Sequence, residues 1–244
     1  MSTAFNQTEF DLAYPDGVES TYWSVARNRI LFFFFFSAGL RQVRWIEVGC
    51  GRGQVIKYMR SRGVDAWGVE LADVQPLDGV DTFVSTNADA ADLPDKDRYE
   101  GLMLLDVIEH IEDPVAFVKF LKQTFPNVRH ILVTVPACED LWSNYDEFYG
   151  HFRRYSLKSL EAEVAAMGML PKQLSYFFHA LYPAGRVVLA LIGNRDIRIT
   201  APRGWWRMVH RLIGVAFHIE NFLIPRRWPG TSLLCLARLG DIQQ

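Results

Sequence analysis

Apolar positions fall into two alternating patterns along the chain. Short, nearly unbroken apolar runs are separated by stretches in which apolar residues recur every three or four positions, the period of a helix. The runs "VRWIEV" (43–48), "DAWGVE" (65–70), "DTFVS" (81–85), "YEGLMLLDV" (99–107), "HILVTVP" (130–136), "KQLSYFF" (172–178) and "TSLLCLARL" (231–239) read as strands. The fourth is apolar almost throughout, as a central parallel strand covered on both faces requires. Between them, "QVIKYMRSRG" closes at Gly63, "DPVAFVKFLKQTF" (113–125) opens with Asp and Pro, and "SLKSLEAEVAAMG" (156–168) opens with a Ser N-cap. All three have helical spacing. The alternation predicts an α/β doubly wound, mostly parallel seven-stranded sheet. One domain is expected over 1–244, with an N-terminal helical segment in 1–42 and a helical cap at 180–230, inserted between the last two strands.

The run "LFFFFFSAGL" (31–40) stands out. Its uncharged stretch, Ile30 to Leu40 between Arg29 and Arg41, is 11 residues long, against the ~20 of a spanning helix. Glu9, Asp11, Asp16 and Glu19 precede it where a signal peptide would be basic. A short helix that is apolar all round is expected to be buried, here against the sheet.

Charge changes the picture in the insertion. The chain has a net charge of -2, but residues 180–230 hold eight arginines against Asp196 and Glu220, a local +6 that leaves -8 elsewhere. Within this segment Arg207, His210, Arg211, Gly214, His218 and Asn221 recur at helical spacing, with Trp205, Met208, Leu212, Ile213, Ile219, Phe222 and Leu223 on the other side and Pro225 as the stop. Two readings stand. In one, the apolar face seals the sheet or a homodimer contact and the arginines are solvated. In the other, 203–227 makes a peripheral membrane contact or roofs a greasy acceptor, its arginines meeting a lipid phosphate. Three cysteines (Cys50, Cys138, Cys235) are too few for a disulfide framework, which implies a reducing compartment, the cytoplasm. No CxxC or Cys/His spacing suggests zinc, and no metal is expected.

The chemistry concentrates in "IEVGCGRGQ". Gly49, Gly51 and Gly53 follow a strand and precede a helix, so the backbone can turn tightly and a ligand can approach it. The dinucleotide fingerprint G-x-G-x-x-G needs glycine at 54, where Gln54 stands. Glu47, on the strand before the loop, would repel a pyrophosphate but suits an ammonium. Glu70 ends the second strand 21 residues after Gly49, where a carboxylate can accept from both ribose hydroxyls. Asp89 follows the third strand, where it can accept from an adenine amino group. An adenosine with an amino-acid tail and no phosphate is S-adenosylmethionine.

In "EVGCGRG" (47–53), "GVE" (68–70), "DAADLP" (89–94) and "LLDVIEHIEDP" (104–114), in that order, the chain resembles the class I S-adenosylmethionine-dependent methyltransferases. The likeness covers roughly 43–180. It implies that Glu47, Gly49, Cys50, Gly51 and Gly53 hold the methionine moiety, Glu70 with Leu71 the ribose, and Asp89 with Ala90 the adenine. It places Asp106 and Val107 at the rim, at the carboxyl end of the fourth strand. The chain is most similar to the small-molecule group that includes ubiquinone biosynthesis. "YWSVARNRI" (22–30) resembles that group's aromatic-plus-arginine helix, and "GHFRRYSLKSL" (150–160) and "PGTSLLCLAR" (229–238) resemble further subgroup marks.

Methyl transfer is an in-line displacement in which positioning dominates, and a base helps when the acceptor keeps a proton. His151, in a loop expected to overhang the cofactor, and His110, three residues past Val107, are the candidate bases. Arg153, Arg154 and Tyr155 offer donors to an anionic or hydroxylated acceptor, and Tyr22 and Trp23 can close over the site. Each has a plainer reading: His110 braces the next helix with Glu109, an arginine pairs with a surface acid, and the aromatics are core. The expected reaction is transfer to an oxygen of a small-molecule or lipid-like acceptor. Carbon or nitrogen transfer, a cofactor-binding scaffold without turnover, and a nucleic-acid or protein methyltransferase are the alternatives. Against nucleic acid, "DVIE" stands where an N/D-P-P-Y/W tetrapeptide would be, and the basic segment is interleaved with apolar residues.

Overall fold

The structure, a computed structural model, describes residues 7–240. Seven strands form one sheet: β1 (Trp45–Val48), β2 (Ala66–Val69), β3 (Val84–Ser85), β4 (Gly101–Leu105), β5 (His130–Pro136), β6 (Met169–Phe177) and β7 (Ser232–Leu239). Their order is β3-β2-β1-β4-β5-β7-β6. The first five run parallel, while β7 pairs antiparallel with both β5 and β6. All seven expected strands are present. β6 starts earlier than its apolar run, at Met169, because a register shift between Pro171 and Gln173 lets the chain pair past the proline.

Two cores sandwich the sheet. On one face Ile46, Leu102, Leu104, Ile131 and Val133 meet Val118 and Leu121 of α4 (Pro114–Thr124), Phe125 just after it, and Leu160 and Val164 of α6 (Leu157–Ala166). On the other, Trp45, Met103, Leu105, Leu132 and Leu234 meet Ile56 and Met59 of α3 (Gln54–Arg60) and Ile30, Leu31, Phe34 and Phe35 of α2 (Tyr22–Ser37). Helix α2 unites the aromatic-plus-arginine stretch and the phenylalanine run in one element, N-capped by Thr21, whose side chain accepts from Ser24 N–H. The five phenylalanines do pack on the sheet, but not on every side. Phe34 and Phe35 are buried, Phe36 is 60% exposed, and Phe33 is covered by Phe222 at a ring distance of 4.7 Å.

Three helices were not expected individually: α1 (Gln7–Ala13), α5 (Asn144–Phe148) and α7 (Leu181–Ile192). The basic amphipathic segment of the insertion is α8 (Trp206–Leu223), and its orientation corrects the expectation that its apolar face seals the sheet. His210, Gly214, His218 and Asn221 of the polar side face inward, while Arg207 and Arg211 stay exposed. Gly214 lies so close to α2 that an added Cβ would stand 2.7 Å from Val25 Cγ1 and 2.8 Å from the Tyr22 carbonyl oxygen. Asn221 is buried, and His210 Nδ1 accepts from Tyr22 N–H at 3.3 Å. Met208, Leu212, Ile219 and Leu223 therefore face outward. A glycine at the crossing lets the backbones approach, and that contact decides which side of α8 is covered.

Candidate active site

In an open α/β sheet the crevice forms beyond the carboxyl ends of the strands where their order reverses. Here that point lies between β1 and β4, and a cavity of about 460 Å³ opens there. Val48, Gly49, Val69, Glu70, Asp106 and Val107 border it from the strand ends, and Leu71, Ala72, Ala88, Asp89 and Ala90 from the loops that follow. Glu70, Asp89 and Asp106 give its wall carboxylates, and among the described residues no lysine or arginine lines it. Such a wall does not suit a pyrophosphate.

The glycine loop is shaped as its sequence requires. Gly49, Gly51 and Gly53 all have left-handed backbone, at φ 78°, 54° and 78°. The Glu70 carboxylate holds the loop, accepting from Gly51 N–H at 2.8 Å and from Ala72 N–H at 3.0 Å. Two such bonds leave a carboxylate acceptor capacity for ribose hydroxyls. Asp89 accepts from Ala91 N–H at 2.9 Å, and that bond holds its carboxyl below the usual range.

Glu47 lies beneath the loop rather than in the cavity wall, 2% exposed, with Oε2 lacking a hydrogen-bond partner. Burial pushes its carboxyl up to about 8, against the pull of the Arg27 guanidinium. A buried carboxylate of this kind calls for a cation, and the ammonium of an amino-acid tail supplies one. With bare glycine backbone, a ribose acceptor and an apolar wall of Leu71, Ala72, Ala90, Ile111 and Phe117 for a base, the residues fit S-adenosylmethionine. Cys50, Gly51 and Gly53 are also outside the wall; of the three glycines only Gly49 lines it. The Cys50 thiol is buried against Gly68, and burial raises its pKa, so it packs rather than reacts.

Arg27, Tyr14 and Phe10 belong to the site and were missed as individual residues. Arg27 projects from α2 to a close ion pair with Asp106, and its guanidinium lies 4.5 Å from the Trp23 ring centroid. Asp106 itself adopts φ 58°, an uncommon conformation for a residue with a side chain, and accepts from the Thr134 hydroxyl at 3.2 Å. We expect Arg27→Met to lower stability by about 3 kcal/mol in a urea titration, because it strands a partly buried carboxylate beside Glu47. Trp23 thus serves Arg27 rather than the cavity, and Tyr22 packs on His210 and Phe217. Phe10 and Tyr14, stacked at 4.7 Å, close the cavity from α1 and the loop after it. An ion pair between Asp16 and Arg52 at 2.6 Å ties that loop to the glycine turn.

The two candidate bases sit together but not equivalently. Their rings are 4.7 Å apart at 77°. His110 borders the cavity, whereas His151 lies behind it, with Nδ1 2.8 Å from Asp146 Oδ1. One donor atom each from Glu109, His110 and His151 lies within 4.8 Å of the others. Burial, and then the neighbouring His151, lower His110 to about 4, so it is neutral near pH 7; hydrogen bonds to the backbone of Tyr149 and Gly150 oppose that shift. Burial drives the Glu109 carboxyl the other way, well above its usual range.

The structure does not bring Arg153, Arg154 or Tyr155 to the cavity wall. Arg154 is committed to Asp146, at 2.8 Å and 3.0 Å, and to the Ala137 carbonyl. Burial would raise Asp146, but the hydrogen bonds from His151 and Arg154 prevail and hold it below the ordinary carboxylate range. Arg153 donates to the Glu112 carbonyl and faces Glu163 at 3.5 Å, and Tyr155 is buried beside Ala137. The loop is a brace around Asp146, a residue with no signal in the sequence.

A family model described as a methyltransferase domain matches residues 22–169. The mitochondrial ubiquinone biosynthesis O-methyltransferase of Arabidopsis thaliana is 28% identical over 106 residues, 38% of this chain and 32% of that protein, so the match spans about a third of the relative's length. An S-adenosylmethionine-dependent methyltransferase from Archaeoglobus fulgidus superposes with a TM-score of 0.52 at 18% identity, covering 96% of this chain and 100% of that one. The 1,6-didemethyltoxoflavin-N1-methyltransferase of Burkholderia thailandensis, solved with 1,6-didemethyltoxoflavin and S-adenosylhomocysteine, gives 0.54 at 14% identity, covering 96% and 87%. These superpositions bear on the fold, while the family match takes in the glycine turn, the two strand-end carboxylates and both histidines: the chain belongs to the S-adenosylmethionine-dependent methyltransferases.

Proposed function

We propose that the protein methylates a hydroxyl oxygen of a small or lipid-like molecule, with His110 receiving the acceptor's proton. The observation that carries this reading is the position of His110 in the cavity wall, held neutral by burial and backed by His151 and Asp146. When bound, S-adenosylmethionine supplies a methyl group already activated on a sulfonium. Glu47 and the glycine turn hold the methionine end, Glu70 the ribose, and Asp89 with Ala90 the adenine. Leu71 and Val107 pack against the ligand, and Phe10 and Tyr14 exclude water above it. Asp106, fixed by Arg27 and Thr134, sets the rim where the acceptor enters. Near neutrality the His110 imidazole is uncharged and can take up the proton of the acceptor hydroxyl. Asp146 orients His151, which stands next in line for that proton.

The Arabidopsis relative is named as an O-methyltransferase, which supports an oxygen target, whereas the Burkholderia enzyme is named for a ring nitrogen. The free thiols of Cys50, Cys138 and Cys235 support a reducing, cytoplasmic setting. A panel of phenols, lipid hydroxyls and amines, scored by release of S-adenosylhomocysteine, tests the reading. Turnover with hydroxyl acceptors supports it. Turnover with amines alone, or none with any acceptor, contradicts it. Strict dependence on an added divalent cation would reassign the Glu109, His110 and His151 cluster from proton transfer to cation binding.

A further inference from the structure

A second cavity, of about 550 Å³, lies on the side of α2 facing α8, outside the cofactor site. Four arginines line it: Arg29 from α2, Arg62 from the turn after α3, and Arg207 and Arg211 from α8. Glu19 is the one acid in the lining, and none of the four arginines forms an ion pair among the described residues. Arg62 leans over the Tyr58 ring at 5.1 Å, and Arg207 reaches the Pro202 carbonyl at 3.4 Å. Four cations gathered around a single acid, none of them in such a pair, leave an excess of positive charge that favours an anionic occupant.

The lip of this cavity carries the chemistry of a bilayer surface. Trp205 and Met208 line it and are also 67% and 64% exposed, so the cavity opens onto the outward side of α8. Along that side Leu212 is 63% and Leu223 77% exposed, and Trp206 stacks on Trp205 at 4.2 Å. Arg203, Arg226 and Arg227 flank it, exposed. Outward apolar residues, tryptophans and arginines on one helix are the composition of an interfacial helix. No described helix is long and apolar enough to cross a membrane.

We propose that this face docks on an anionic membrane, with the apolar side of α8 lying in the interface and a lipid phosphate entering the arginine cavity. Charge selects this occupant over a second copy of the chain. A two-fold contact through α8 sets the patch against itself, so a second copy brings the same excess of arginine and leaves Arg207 and Arg211 uncompensated. Anionic headgroups compensate them.

The test is co-sedimentation of the full chain with phosphatidylcholine vesicles, with or without phosphatidylglycerol. The protein is expected to pellet with the anionic vesicles at low salt, and to be released as salt shortens the Debye length from about 10 Å at 0.1 M. Replacing Arg207 and Arg211 together with glutamine should weaken partitioning roughly 30-fold. Leu212→Ser with Leu223→Ser should also weaken it while leaving every charge in place. Unchanged affinity for S-adenosylhomocysteine in each variant shows that the fold is intact. Retention in the supernatant with anionic vesicles at low salt overturns the proposal. So does binding of inorganic phosphate without vesicles, which assigns the cavity to a soluble anion, or a concentration-dependent dimer that does not bind vesicles, which assigns the apolar face to a second copy.

Discussion

Gly51→Val is expected to abolish S-adenosylmethionine binding in a calorimetric titration while leaving a cooperative thermal transition. Gly51 has φ 54°, where a β-branched residue is strained, and its N–H is the group that Glu70 grips at 2.8 Å. A Cβ there would stand 3.2 Å from the Tyr14 ring, so the extra methyls of valine push apart the glycine turn and the aromatic that closes the cavity. The turn and the ring that borders the cavity are displaced together. Gly53 makes a useful contrast. A Cβ at that position meets Val84 Cγ2 at 2.6 Å, inside the core rather than at the ligand. Gly53→Val is therefore expected to lower the melting temperature, whereas Gly51→Val acts chiefly on binding.

His110→Ala is expected to cut turnover by ~10²–10⁴-fold with cofactor affinity nearly unchanged, the scale of losing a general base. The pH profile gives an independent check. A base works when unprotonated, and burial lowers His110 to about 4, so the rate should hold from neutrality down to about pH 5 and fall near pH 4. The same shift bears on stability. The folded value lies below the ordinary 6.5, so the unfolded chain binds the extra proton first, and stability is lost as pH falls from 6.5 towards 4. Circular dichroism at each pH separates loss of catalysis from loss of fold. His151→Ala removes a neighbour that lowers His110, so its acid limb should move upward. An acid limb that stays put in that variant, or an unchanged rate in His110→Ala, would remove His110 from the chemistry.

The strands and the glycine turn were legible because each rests on local sequence. A short apolar run bounded by turn residues is most readily accommodated as a buried strand, and three alternating glycines ahead of a helix leave few backbone paths. The order of Glu47, Glu70 and Asp89 along the chain was enough to suggest the cofactor. The acceptor side was harder to read. His151 and Arg154 sit in a loop with suitable chemistry, but both are committed to Asp146, which reaches them from α5. No periodicity announces a carboxylate whose role depends on where a neighbouring loop folds back. Tyr14 and Phe10 gave no signal for the same reason, and Arg27 was visible only as part of a helix resemblance. In α8 the amphipathic pattern identified which residues share a face, but not which face is covered. That choice was made by Gly214 and Val25 across the helix crossing.

A buried carboxyl beneath a glycine turn built for S-adenosylmethionine should reveal itself when S-adenosylhomocysteine is titrated into the protein at pH 7 in buffers of different ionisation enthalpy. Glu47, titrating at about 8, is roughly nine-tenths protonated there. Pairing with the ligand's ammonium should ionise it and release close to one proton per molecule bound. Because its folded value is raised above the ordinary 4.5, the ligand-free protein should lose stability as pH rises through about 8, and the ligand should oppose that loss. The titration is expected to give one binding site, a buffer-dependent enthalpy, and loss of that dependence in Glu47→Gln. Binding of NADH with none of S-adenosylhomocysteine, or an enthalpy indifferent to the buffer, would contradict that reading.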